Sequence, residues 1–195
     1  MNDTPISPSL MLPLAPSLVC ANQHAAWLSP DGEIEQISHV EVLRRLKPDD
    51  PPIVCHAPET ARQLGLTNFI AFDVLELYAF VRPARFVLPT PRGLAEALNL
   101  VLPGNLEREA ESLLATSLAL LTELAERANG LGDIQAGTIA RAMALNGWPW
   151  ARAVLTALGE DFNVKALTPV KAAEALKVWS YIPEWEELGQ EPVPG

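Results

Sequence analysis

Basic residues, cysteines, aromatics and long apolar runs are all scarce in this sequence, and each shortage removes a class of function. There are 14 Lys and Arg against 24 Asp and Glu, a formal charge of −10. Phosphate-backbone binding draws its affinity from clustered cations, so an extended nucleic-acid surface is excluded; any DNA contact is local or indirect, through a partner. Two cysteines, Cys20 and Cys55, are too few for a disulfide framework and fit a reduced compartment. The apolar stretch from Leu10 to Cys20 is broken by Pro13 and Pro16, follows a segment with Asp3 and no Lys or Arg, and never reaches the roughly 18 unbroken apolar residues of a membrane helix. A cytoplasmic chain with a loose leader over residues 1–16 and no membrane contact is expected.

Several reaction motifs are also missing. No G-x-x-x-x-G-K-[ST] or G-x-G-x-x-G is present to cradle a phosphate, and no G-x-S-x-G to present a nucleophile. Cys20, His24, Cys55 and His56 are the right residue types for a Cys2His2 zinc set, but their spacing is not that of a zinc motif. Two buried thiols and two ordinary histidines are the plainer reading, and no metal ligand set is expected.

What is present is enough apolar content, 49% of 195 residues, for a sizeable core, and 18 prolines that punctuate it. Ala25–Ser29 and Glu33–Ser38 flank Pro30-Asp31-Gly32 as a hairpin. Ser38 and Glu41 predict a capping box, with Ile37 and Val42 as its staple, opening a helix over 39–46. Ile53–Cys55 then reads as a buried strand, with a helix to Leu64 closed by Gly65. Asn68–Phe72 reads as a further strand, and Asp73 as the cap of a helix that Pro83 stops, with no chemically equipped cleft around them. Thr90-Pro91 opens a helix through Leu98. A long amphipathic helix follows Gly104-Asn105 and ends at Asn129-Gly130, with Glu107, Glu109 and Glu111 in its opening turns. Helices are expected near 134–145, 149–158 and 169–181, and the acidic, proline-bearing residues 186–195 read as a linker.

In this order the elements resemble the DnaQ-like 3'-5' exonuclease fold of the ribonuclease H-like class. FDVLELYAFVRP resembles that family's DTLELARLLYP segment, and PTPRGLAEALNL its YSLEALAEYLGI segment. IVCHAPETARQL is similar to VVHNAxFDxxFL, and EREAESLLATSLALL to HRALDDAxATAxLL. The resemblance implies an α/β fold with a mixed sheet of about five strands flanked by helices over 17–130, a helical appendage over 131–185, and the tail. It also implies catalysis by two metal ions held on four carboxylates. Here the D-x-E of the first strand falls on Ala21-Asn22-Gln23, the next acid on Ala61, and the last segment has Glu107 for its His and Ser112 for its Asp. Ala21, Gln23, Ala61 and Ser112 cannot neutralise divalent cations.

GWPWARAVLTALG and VWSYIPEWEE further resemble the N-terminal region of bacterial DinG-type, XPD-like ATP-dependent DNA helicases. The expectation is a non-catalytic exonuclease-like accessory domain that docks on or regulates a helicase motor, in the same polypeptide or another protein, in DNA repair or replication. ATP and Mg2+ would belong to that motor and no cofactor to this chain. The alternatives are a stand-alone protein–protein interaction module, or a residual metal-dependent exonuclease using Glu59, Glu107 and Glu109. Trp148, Trp150, Trp179 and Trp185 are either core packing, the preferred reading, or a partner surface.

Overall fold

The computed structural model describes residue 10 and residues 12–131 and 134–160. Ser17–Cys20 (β1) pairs antiparallel with His24–Leu28 (β2), and Ile34–Ser38 (β3) returns along β2. Ser38 then caps His39–Arg45 (α1), its hydroxyl accepting from the Glu41 N–H at 3.2 Å. Val42 is fully buried with Ile37 packed against its cluster, as the staple requires. The reciprocal arm of the capping box differs: the Glu41 carboxylate accepts from Arg45 Nε at 3.1 Å. A guanidinium one turn away makes a charge-assisted bond, which is stronger than one from a neutral amide.

Ile53–Val54 (β4) leads into Ala57–Leu64 (α2), closed by Gly65 at φ 69°. Phe72–Asp73 (β5) leads into Val74–Val81 (α3). The strand expected over 68–72 is therefore two residues long. Its neighbour β4 is short as well, bounded by Pro51-Pro52 before it and α2 after it, so few rungs are on offer. β1, β4 and β5 run parallel and β2 alone opposes the rest, in the order β3-β2-β1-β4-β5. This is an α/β fold on a five-stranded mixed sheet.

Alternation along the strands sorts the residues onto two faces. Leu18, Ala25, Trp27 and Val54 pack with Val42 of α1 and Leu64 of α2. Val19, Ala26, Leu28 and Ile53 face the other way, onto α3, Pro91–Ala97 (α4), Leu106–Leu131 (α5), Ile134–Leu145 (α6) and Ala151–Ala157 (α7). α5 crosses β1 and β2, with Leu113, Leu120, Leu121 and Leu124 almost wholly buried. The segment read as a helical appendage shares this core: Trp148, Trp150, Val154 and Leu155 belong to the same cluster as Val19 and Leu77. Among the described residues no helix is long and apolar enough to cross a membrane. The helix expected near 169–181 and the tail lie outside the described residues.

Thr90 caps α4 by accepting from the Gly93 N–H at 3.0 Å, and the preceding segment folds closely over that turn. A Cβ on Gly93 would stand 2.5 Å from Leu88 Cβ and 2.6 Å from the Leu88 carbonyl oxygen. Alanine gains about 1 kcal/mol over glycine in a helix, whereas overpacking costs about 1–3 kcal/mol. Because backbone is among the atoms that must shift, Gly93→Ala is expected to destabilise the chain by about 1–2 kcal/mol in urea unfolding.

Candidate functional site

The parallel pairing of β1 with β4 puts their carboxyl ends on one edge of the sheet, where Cys20, Cys55 and the turn Ala21–Gln23 lie. The D-x-E positions were expected on the first strand, but β1 ends at Cys20 and Ala21–Gln23 form the connection to β2. There the Ala21 N–H donates to the His24 carbonyl at 2.8 Å, and the Ala21 carbonyl lies 2.8 Å from His39 Nε2. The β1 residues that face α5 are Ser17 and Val19, and the buried Ser17 hydroxyl donates to the Ala110 carbonyl at 2.7 Å.

Ala61 lies on α2, across the sheet from α5. Ser112 is buried on α5 and its hydroxyl has no hydrogen-bond partner among the described residues. α5 runs opposite to β1: Glu107 is bonded to Gln36, in the row of Val19, and Ala110 meets Ser17. Ser112 is further on, away from the edge that holds Ala21 and Gln23, so the four degenerate positions are not brought together. Glu59 is likewise separated from Glu107 and Glu109, being on α2 and paired with Arg62 at 2.5 Å.

The two thiols point to opposite faces, Cys20 to the side of α1 and α2 and Cys55 to the side of α5. Burial pushes Cys20 up to about 11. Burial, then the charges of Asp73 and Glu109, pushes Cys55 up to about 12. Both are neutral thiols at physiological pH, poor nucleophiles and poor metal ligands. Among the described residues no three His, Cys, Asp or Glu side chains are grouped to hold a metal ion.

The best-connected group at this edge is Asp73, which is 2% exposed. Its Oδ1 accepts from the N–H groups of Leu75 at 2.9 Å and Glu76 at 3.2 Å, which caps α3. Its Oδ2 accepts from the N–H of Ala57 at 2.7 Å, which ties in the start of α2. Burial raises its carboxyl, while these bonds and nearby His56 pull it down, with a net rise.

The Asp73 carbonyl accepts from the indole of Trp150 at 2.8 Å, and Phe72 meets that indole edge-on at 5.1 Å. Trp148 donates to Glu76 Oε2 at 3.1 Å and lies 5.1 Å from Phe80. With Trp148 8% and Trp150 0% exposed, the partner-surface reading is corrected for this pair: both rings are buried, each indole N–H satisfied inside the fold. Trp179 and Trp185 lie outside the described residues.

A cavity of about 370 Å³ opens beside Asp73, between the starts of α2 and α3 and the turn Asn146–Pro149 that joins α6 to α7. No motif in the sequence announces it. Glu76 reads as an ordinary first-turn acid of α3, and only the folded chain sets the α6–α7 turn against it. The one local signal was Asn146-Gly147: Gly147 has φ 80°, and the Trp148 N–H donates to the Met143 carbonyl at 3.1 Å, which aims Trp148 inward. No protein-family model, curated protein or solved structure matches the chain.

Asp73→Ala removes the acceptor of three backbone N–H groups at two helix starts and is expected to cost roughly 2–4 kcal/mol in urea unfolding. Asp73→Ser, which keeps the α3 cap but falls short of Ala57, should cost less. The high thiol values give a second expectation. At pH 8 the folded chain should alkylate at Cys20 about a hundredfold more slowly than in urea, since its value moves from 9.0 to about 11. The sign carries to stability: the neutral thiols add support that is complete below the ordinary value of 9.0 and is lost as pH rises through about 11 and about 12.

Proposed function

We propose that this chain is a non-catalytic exonuclease-like module of the ribonuclease H-like class that docks on, or regulates, an ATP-dependent DNA helicase motor. One observation carries the loss of catalysis: neither register available to the D-x-E pair contains a carboxylate. In the turn the pair is Ala21 and Gln23; on β1, facing α5, it is Ser17 and Val19. Two-metal phosphodiester cleavage requires anionic ligands that hold both cations against the attacking and leaving oxygens. Neutral side chains do not supply that charge, and Ser112 adds only a buried hydroxyl. The mixed five-stranded sheet with α5 laid across β1 and β2 is compatible with the proposed class.

The helicase part of the proposal is supported by the sequence resemblance. ATP and Mg2+ act at the motor, and DNA is reached through it. A stand-alone interaction module is the second reading, favoured by apolar side chains in the open: Phe86 is 86% and Val101 92% exposed, on the segments flanking α4.

Single-stranded DNA incubated with the chain and Mg2+ or Mn2+ should remain intact, and calorimetric titration should show no saturable metal binding. Metal-dependent cleavage that disappears in Glu107→Gln or Glu109→Gln would overturn the non-catalytic assignment. For the helicase part, cross-linking mass spectrometry in the native cell should join this chain to a helicase motor; cross-links confined to proteins without a nucleic-acid motor would favour the second reading.

A further inference from the structure

The cavity beside Asp73 has a definite chemistry. Phe69, Met143 and a 63% exposed Ile70 give it apolar walls, and Asp73 and an exposed Glu76 are its charged groups. No Lys, Arg or His is among its described lining residues, and His56 is near enough to act on both carboxyls. Its volume of about 370 Å³ is that of a small-ligand site. It lies along the open edge of β5, from the segment Phe69–Ala71 before that strand to the start of α3 after it.

The disposition of the carboxylate oxygens selects among occupants. An anion would be repelled by both acids. An uncharged apolar molecule would strip water from Glu76 and return no donor. A divalent metal ion needs several oxygen ligands, yet both Asp73 oxygens are already engaged by backbone N–H groups of Ala57, Leu75 and Glu76. Glu76 Oε2 holds the Trp148 indole, while Oε1 accepts no hydrogen bond among the described residues. One acceptor is thus open, above apolar walls.

We propose that this cavity binds an organic cation, a guanidinium or ammonium on an apolar stem, with Glu76 Oε1 accepting its N–H and Phe69, Ile70 and Met143 covering the stem. The thioether of Met143 suits a stem of variable shape. Partial burial, then the charge of Asp73, pushes the Glu76 carboxyl up against the pull of Trp148 and His56, and a cation relieves the repulsion from Asp73 in place. The chain's charge of −10 draws cations toward it from solution. The site requires neither nuclease chemistry nor a helicase.

The test follows the Trp148 indole N–H by proton–nitrogen correlation NMR on the full chain, with n-butylguanidinium as probe and the neutral isostere n-butylurea as control. The guanidinium should shift that resonance saturably and the urea should not. Glu76→Gln, which keeps an acceptor for Trp148, should weaken binding by about tenfold or more with an unchanged circular dichroism spectrum. A blocked Gly-Arg-Gly peptide separates the sources: tighter binding than n-butylguanidinium assigns the site to a polypeptide arginine, equal or weaker binding to a free cation. No saturable shift, an equal response to n-butylurea, or undiminished binding in Glu76→Gln would overturn the proposal.

Discussion

One carboxylate holds the parallel edge of this fold together. Asp73 ends β5, caps α3 through Oδ1 and draws in the first turn of α2 through Oδ2, while its own carbonyl anchors the indole of Trp150 from beyond α6. β4 and β5 offer two rungs to each other, too few to position two helices by ladder bonds alone. The burial of Asp73 opposes its ionisation, and three backbone donors make that charge tolerable. These three bonds account for Asp73 as a structural cap shared by two helix starts.

Much of the fold was legible because it is punctuated by short-range chemistry. Ser38, Asp73 and Thr90 are caps whose partners sit within three residues, and Gly65 and Pro91 mark helix ends through their own backbone preferences. The element order from Ser17 to Leu131 followed from such signals. The length of β5 did not, because a strand extends only as far as its neighbour, and β4 is limited by Pro51-Pro52 and the start of α2. The Glu41 arm of the capping box failed for a similar reason, since Arg45 competes for the same oxygens.

The site was harder to read, because its parts meet only in three dimensions. Trp148 and Trp150 are conspicuous in the sequence, but whether they face a partner or the core depends on the sheet edge they cover, 72 and 77 residues earlier at Glu76 and Asp73. The cavity beside them combines the first turn of α3 with the end of α6, and neither segment carries a ligand motif. The degenerate D-x-E shows the opposite limit: its neutrality was plain from residue identity, while its placement after β1 and not on it needed the strand boundary.

We propose that the sheet edge and α5 form a nuclease-like scaffold without a metal centre. Paramagnetic broadening by Mn2+, mapped over the backbone amides of the full chain, addresses it most directly. Weak broadening spread over the acidic surface is expected, with no maximum near Ser17, Ala21 or Ser112. A focused, saturable loss of signal around those residues would contradict it and restore a metal site to this chain.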